Sequence, residues 1–217
     1  SWWQQFTGEG IVGELTGEVL AQLPSQIIAF EDFAREYPQG DVLSDDTGFS
    51  RDYGRNPYAG YDSIDQSPFL YNGKIDKRLP PMERVLSVIG KAQTVLFPFR
   101  AVADAPLINW EMEGQDLVIF AHHNMRSPLD KRRIAESRDI PAAAAFSRQV
   151  GSRNLDFTWT DGRIVDEQTG SEWGPTGRAV SGPLMGTHLD QIDSGVHFAF
   201  AWLAFDPDAL VFGVDEP

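Results

Sequence analysis

The chain contains no cysteine. Disulfides, thiolate metal sites and cysteine nucleophiles are therefore excluded within it, although a reducing cytosol and a cysteine-free exported protein fit this equally well. Basic residues are scarce. Eighteen Lys and Arg, only four of them Lys, stand against 32 Asp and Glu, for a net charge of −14 and a pI of about 4.6. Such a field repels nucleic acid and anionic membrane surfaces, so neither is an expected partner. No apolar run approaches the roughly 18 residues that would cross a bilayer, so no transmembrane span is expected. The repeated glycines are not followed by Lys-Ser/Thr, which leaves no phosphate-cradling loop. Ser rather than Met stands first, with no secretory signal, and this reads as a processed product or a piece of something longer.

What is present is a chain of 217 residues, 41% hydrophobic and 12% aromatic, enough for one sizeable domain or two small units around a shared core. One phrase occurs twice. At an offset of 169, Thr7 matches Thr176, Gly8 Gly177, Gly13 Gly182, Leu15 Leu184, Gly17 Gly186, Leu20 Leu189, Gln22 Gln191 and Ser25 Ser194. The register continues through Pro38 with Pro207 and Val42 with Val211, ten identities in all. Such spacing identifies an internal repeat. Closely spaced glycines among Ile, Val and Leu predict hairpins over 11–15 with 18–22 and over 179–184 with 188–192. An amphipathic helix follows each, with Phe30, Phe33 and Tyr37 on one face of the first and Phe198, Trp202 and Phe205 on one face of the second. Pro38 and Pro207 end these helices, and short strands at Val42–Leu43 and Leu210–Phe212 follow.

Between the copies, residues 44–83 are rich in Gly, Pro, Asp and Tyr and lack periodicity. Forty structureless residues inside a compact domain are unusual. The expectation is an ordered linker, pinned by Phe49, Tyr53, Tyr58, Tyr61, Phe69 and Tyr71. From Arg84, short β-branched and aromatic runs ("RVLSVI", "AQTVLFPF", "DLVIFAH", "AAAAFS", "LDFTW", "RIVDEQTG") predict strands. The chain thus divides into residues 1–43, the C-terminal part of a first unit; 44–83, the linker; and 84–217, a complete second unit. The fold class is α+β and β-rich, with short antiparallel strands and two amphipathic helices.

The phrases "TGSEWGPTGRAVSGPLMGTHLDQI", "WWQQFTGEGIVGELTGE", "DTGFSRDYGRNPYAGYD" and "RLPPMERVLSVIGKAQTVLFPF" resemble a prokaryotic family, domain of unknown function 3179, over essentially the whole chain. The resemblance implies a prokaryotic origin and an exported or lipid-anchored protein, and supplies no reaction. It also implies a first unit that begins upstream of the Trp-Trp phrase and carries a Cys-Pro-x-Cys motif that this chain lacks.

Two constellations could carry chemistry. In the linker, Arg51 and Arg55 alternate with Tyr53, Tyr58 and Tyr61 beside Asn56. Planar guanidinium groups next to aromatic rings can grip a carboxylate, a phosphate or a sugar face; equally, they can pin the loop to its own domain. His122, His123 and Met125 form the second, at the end of a predicted strand, with His188 and His197 elsewhere. Imidazole with thioether suits copper, and imidazole alone suits zinc. Neighbours on a strand point to opposite faces, so no convergence of these groups is expected. Asp161-Gly162 reads as a hairpin turn, with Asp166 and Glu167 facing solvent. The tryptophans read as core anchors, except that Trp2 and Trp3 are expected at an interface with a missing N-terminal half, another protein or a second copy. The functional expectation is a non-catalytic, extracytoplasmic binding or assembly module without a cofactor, acting as an accessory subunit. The alternative is a copper or zinc protein, redox or hydrolytic, using His122 and His123.

Overall fold

The computed structural model describes residues 1–215. In chain order the elements are β1 (Trp2–Trp3), β2 (Gly10–Val12), α1 (Phe30–Glu36), β3 (Arg84–Ile89), β4 (Thr94–Pro98), α2 (Phe99–Asp104), β5 (Leu107–Met112), β6 (Gln115–Arg126), β7 (Asp139–Ser147), β8 (Gln149–Val150), β9 (Arg153–Asn154), β10 (Phe157–Thr160), β11 (Arg163–Asp166), β12 (Glu172–Trp173), β13 (Ala179–Ser181), β14 (Ser194–Phe198), α3 (Ala199–Phe205) and β15 (Leu210–Val211). The fold is β-rich α+β, built from small, mostly antiparallel sheets.

The period-2 geometry of strands stacks these sheets. The middle layer is β5–β6–β7, in which β6 is paired on both edges. Leu117, Ile119 and Ala121 of β6 point to one side, where they meet Leu86, Val88, Val95 and Phe97 of β3 and β4 together with Phe99 and Val102 of α2. Val118 and Phe120 point to the other side, against Phe157, Ile164, Trp173 and Leu189. A strand buried on both faces must be apolar at consecutive positions, and "LVIFA" is. The second layer is the sheet β14–β3–β4–β15, in which only β4 and β15 run parallel. Its outer face, Val85 and Leu96, is covered by Trp202 and Leu203 of α3 and by Phe6 of the N-terminal segment. The third layer is β10–β11–β12–β13.

The repeated glycine phrases close antiparallel, but through a single bridge each, Glu9 with Val19 and Arg178 with His188, shorter and earlier than the hairpins expected over 11–15 with 18–22 and 179–184 with 188–192. Gly13 (φ 117°) and Gly17 (φ 87°), like Gly182 (φ 87°) and Gly186 (φ 88°), occupy left-handed conformations. Left-handed glycines turn the chain between the bridged residues into a tight loop, so each ladder stays short. Gly17 N donates to Gly10 O, and Gly186 N to Ala179 O, both at 2.8 Å. On its other edge the short strand of each loop pairs with the residues before it: β2 with β1, and β13 with β12. In both places a serine hydroxyl ties the loop shut, Ser1 Oγ accepting from Leu15 N and Ser171 Oγ from Leu184 N, each at 3.0 Å. The expected strand at Val42–Leu43 does not form; its residues stand 63% and 98% exposed. Its match at Leu210–Val211 pairs with β4. The helix α2 falls where the sequence reads as the end of a strand, because Pro98 sits at its N-cap with the fixed φ a helix start tolerates.

Candidate functional site

Residues 37–83 contain no helix or strand, yet part of the segment is held firmly. The anchor is Asp62, whose side chain is fully buried. Its Oδ2 accepts from Ser127 Oγ at 2.5 Å, and Arg84 and Arg138 approach the same oxygen at 2.7 and 2.9 Å. Burial alone would raise the Asp62 carboxyl; the Ser127 hydroxyl and the two guanidinium groups outweigh it and hold it below the ordinary range. Burial in turn lowers Arg84, against the pull of Asp62. Asn56 makes a second pin. It is buried, donates Nδ2 to Lys131 O at 3.2 Å and N to Arg132 O at 2.8 Å, and accepts from Tyr58 N at 2.7 Å. Of the six linker aromatics expected to pack, Tyr61 meets Phe198 and Tyr71 meets Phe200. Phe49, Tyr53, Tyr58 and Phe69 are exposed, because polar pins rather than rings fasten this loop.

Fastened in this way, the loop forms one wall of an open cleft of about 700 Å³. Arg51, Asp52, Tyr53, Arg55, Asn56 and Pro57 line it from the linker, and Pro128, Arg132 and Ile134 from the loop between β6 and β7. Arg55 is held by Asp52 at 3.1 Å. The guanidinium groups of Arg51 and Arg132 have no acidic partner among the described residues. Tyr53 donates to or accepts from Thr47 Oγ1 at 2.6 Å, which orients its ring. The structure therefore brings Arg51, Tyr53, Arg55 and Asn56 into one cleft and leaves Tyr58 and Tyr61 outside it. With both its amide groups engaged, Asn56 serves the loop rather than a ligand. Sequence reasoning missed Arg132; its signal was "DKRR", a basic run in an acidic chain.

The histidines do not converge. His122 is largely buried with its Nε2 3.4 Å from Asp32 Oδ2, and neither ring nitrogen has a hydrogen-bond partner. Burial lowers its pKa, and Asp32 only partly offsets this. His123 and His188 are exposed. A bulge between His123 and Met125, with Asn124 at φ 139°, turns Met125 into a small cluster with Ile140 and Ala142. His197 lies between Phe6 and Trp202, its pKa lowered by burial. Among the described residues no three His, Asp or Glu are grouped to hold a metal ion.

Other carboxylates hold structure. Asp166, expected to face solvent, is fully buried. It accepts from Trp173 Nε1 at 2.9 Å, Thr169 N at 2.6 Å and Ser171 N at 3.1 Å, so it closes the β11–β12 turn from within. Glu167 does face solvent. Trp110, Trp173 and Trp202 pack in or against the core, whereas Trp159 is exposed. Trp2 is 76% exposed and Trp3 half-buried. Among the described residues no helix is long and apolar enough to cross a membrane.

A family model described as "Protein of unknown function (DUF3179)" matches residues 1–209. No curated protein and no solved structure matches the chain.

Proposed function

Because the chain belongs to the DUF3179 family, which brings no reaction with it, we propose from its own geometry that it is a non-catalytic binding module for a small organic anion. The observation that carries this reading is the cleft, where Arg51, Arg55 and Arg132 gather in a protein of net charge −14. Two unneutralised guanidinium groups facing one cavity raise its local potential against the field of the whole molecule. They present planar, forked donors that match a carboxylate. Pro57, Pro128, Ile134 and the Tyr53 ring supply apolar walls, so the matching ligand is a carboxylate carried on a ring or short chain. With the family resemblance favouring export, we place the module outside the cytoplasm, in the periplasm or at the cell surface, as an accessory subunit of a larger assembly.

Titration calorimetry with glucuronate and benzoate, with inorganic phosphate for comparison, tests the proposal. A carboxylate should bind, weaken with added salt, and weaken tenfold or more, about 1.4 kcal/mol, in Arg132→Ala. Equal affinity of the wild type and Arg132→Ala would sink it. A stoichiometric metal retained through dialysis and lost in His122→Ala would favour copper or zinc at His122 and His123 instead. The buried, unpartnered His122 ring is the one observation on the side of that reading.

A further inference from the structure

We infer that the N-terminal segment is a docking edge for a β-hairpin with an alternating apolar face and cationic ends, supplied by a polypeptide other than residues 1–217. The cleft plays no part in this inference. The helices α1 and α3 begin and end 169 residues apart, the offset of the repeated phrase. Contacts between the two segments are reciprocal. Phe6 of the first phrase stacks on α3 through Phe205, with ring centres 4.7 Å apart. In the second phrase, Arg178 Nη1 reaches the Glu36 carbonyl at the end of α1 at 3.3 Å. Between them Ser25 N meets the carbonyl of Ser194, its own match at the same offset, at 3.5 Å. A residue facing its own counterpart lies near an approximate two-fold axis.

That relation shows what covers the equivalent surface of the second segment. There, β14 pairs antiparallel with β3, and β15 parallel with β4, so a hairpin fills the space between them. Ile192, Val196 and Phe212 pack against the core formed with Leu86, Val88, Val95 and Phe97 of that hairpin. The residues 169 positions earlier are Leu23, Ile27 and Leu43, all apolar as well. They are 86%, 46% and 98% exposed. Phe212 N donates to Leu96 O at 2.9 Å, whereas the Leu43 N–H has no partner among the described residues. The segments 25–29 and 41–43 thus keep the sequence of sheet strands without the hairpin that would make them so.

A fourth position agrees. Val42, 63% exposed, matches Val211, which is fully buried against Val85 and Leu96 of the hairpin. Charge gives the partner's sign. Residues 1–43 carry seven acids and one base, while the hairpin 84–98 carries Arg84 and Lys91 and no acid. A second copy of the chain cannot offer its β3–β4 hairpin, because both edges of that pair are occupied by β14 and β15.

The test uses the full chain and a probe made of residues 84–98 fused to a soluble carrier, followed by fluorescence anisotropy. Saturable binding is expected, weakened at least tenfold by Leu43→Pro, which removes the pairing N–H, and by Leu43→Asp, which removes the apolar contact. Both variants should keep the wild-type far-ultraviolet dichroism and melting temperature, since Leu43 touches nothing. No binding, or binding indifferent to both substitutions, overturns the inference. Sedimentation of the chain alone at several concentrations should give the same result for the wild type and Leu43→Pro. Self-association lost on that substitution would make the occupant a second copy and overturn the inference as well.

Discussion

Asp62 shows how far one side chain can fasten a long loop. Its buried carboxylate is the meeting point of Ser127, Arg84 and Arg138, and through them of the linker, the end of β6 and the start of β3. Removing one partner of a buried charge pair leaves the other unneutralised, at a cost of about 3–5 kcal/mol. Asp62→Ala should therefore lower the free energy of unfolding by about that amount in a urea titration, and should loosen the cleft with it. Proton linkage gives a companion result. The Asp62 carboxyl is held below its unfolded value, so the unfolded chain binds the extra proton in the window between the two. Its contribution is complete above about pH 4 and is lost as pH falls through the depressed folded value. Stability measured from pH 5 downward should fall less steeply in Asp62→Ala than in the wild type.

Among the elements, the glycine loops separate two kinds of constraint. Gly182 and Gly186 share a left-handed backbone, but a β-carbon on Gly182 would come within 2.7 Å of the Ser171 backbone, whereas one on Gly186 would meet nothing. Gly186→Ala should cost only the conformational strain, about 1 kcal/mol. Gly182→Ala adds a backbone clash and should cost roughly 2–3 kcal/mol, with the Ser171–Leu184 hydrogen bond broken. Equal melting temperatures for the two variants would show that the serine tie is dispensable. The helices are a contrasting case. Each is only six or seven residues long, with no side-chain cap at its N-terminus. Such helices are marginal by themselves and persist through packing.

For the molecule as a whole, the question is what keeps the first 43 residues in place. A two-stranded pair and one short helix bury too little to stand alone. Phe6 supplies the main apolar attachment, edge-on to His197 and Trp202 and stacked on Phe205. Around it lie the Gln26–Gln191 and Arg178–Glu36 contacts. Phe6→Ala should destabilise by roughly 3 kcal/mol. Its clearer signature is local: cleavage by a protease near residues 20–30 should accelerate well before the core unfolds, since only that docking is lost. Cleavage rates matching the wild type would show that the polar contacts alone hold the segment.

By itself the sequence determined the β-rich class, six of the strands between Arg84 and Asp166 though not β5, β8 or β9, the two helices that carry the 169-residue offset, and the linker from which six cleft residues come. These features follow from periodicity and composition, which act over a few neighbouring residues. Local pattern placed an antiparallel turn at each glycine phrase but not its extent, because the length of the loop depends on Ser1 and Ser171 closing it from the chain before. Nor could it place Asp166 inside, where Trp173 and the turn amides replace water around a carboxylate. Arg132 joins Arg51 and Arg55 only because Asp62 and Asn56 draw the linker onto a loop some 75 residues further along. Val42 and Leu43 are the same kind of case with the opposite outcome. Their sequence is that of a strand, but a strand needs the hydrogen bonds of a neighbour, and residues 1–215 place none beside them.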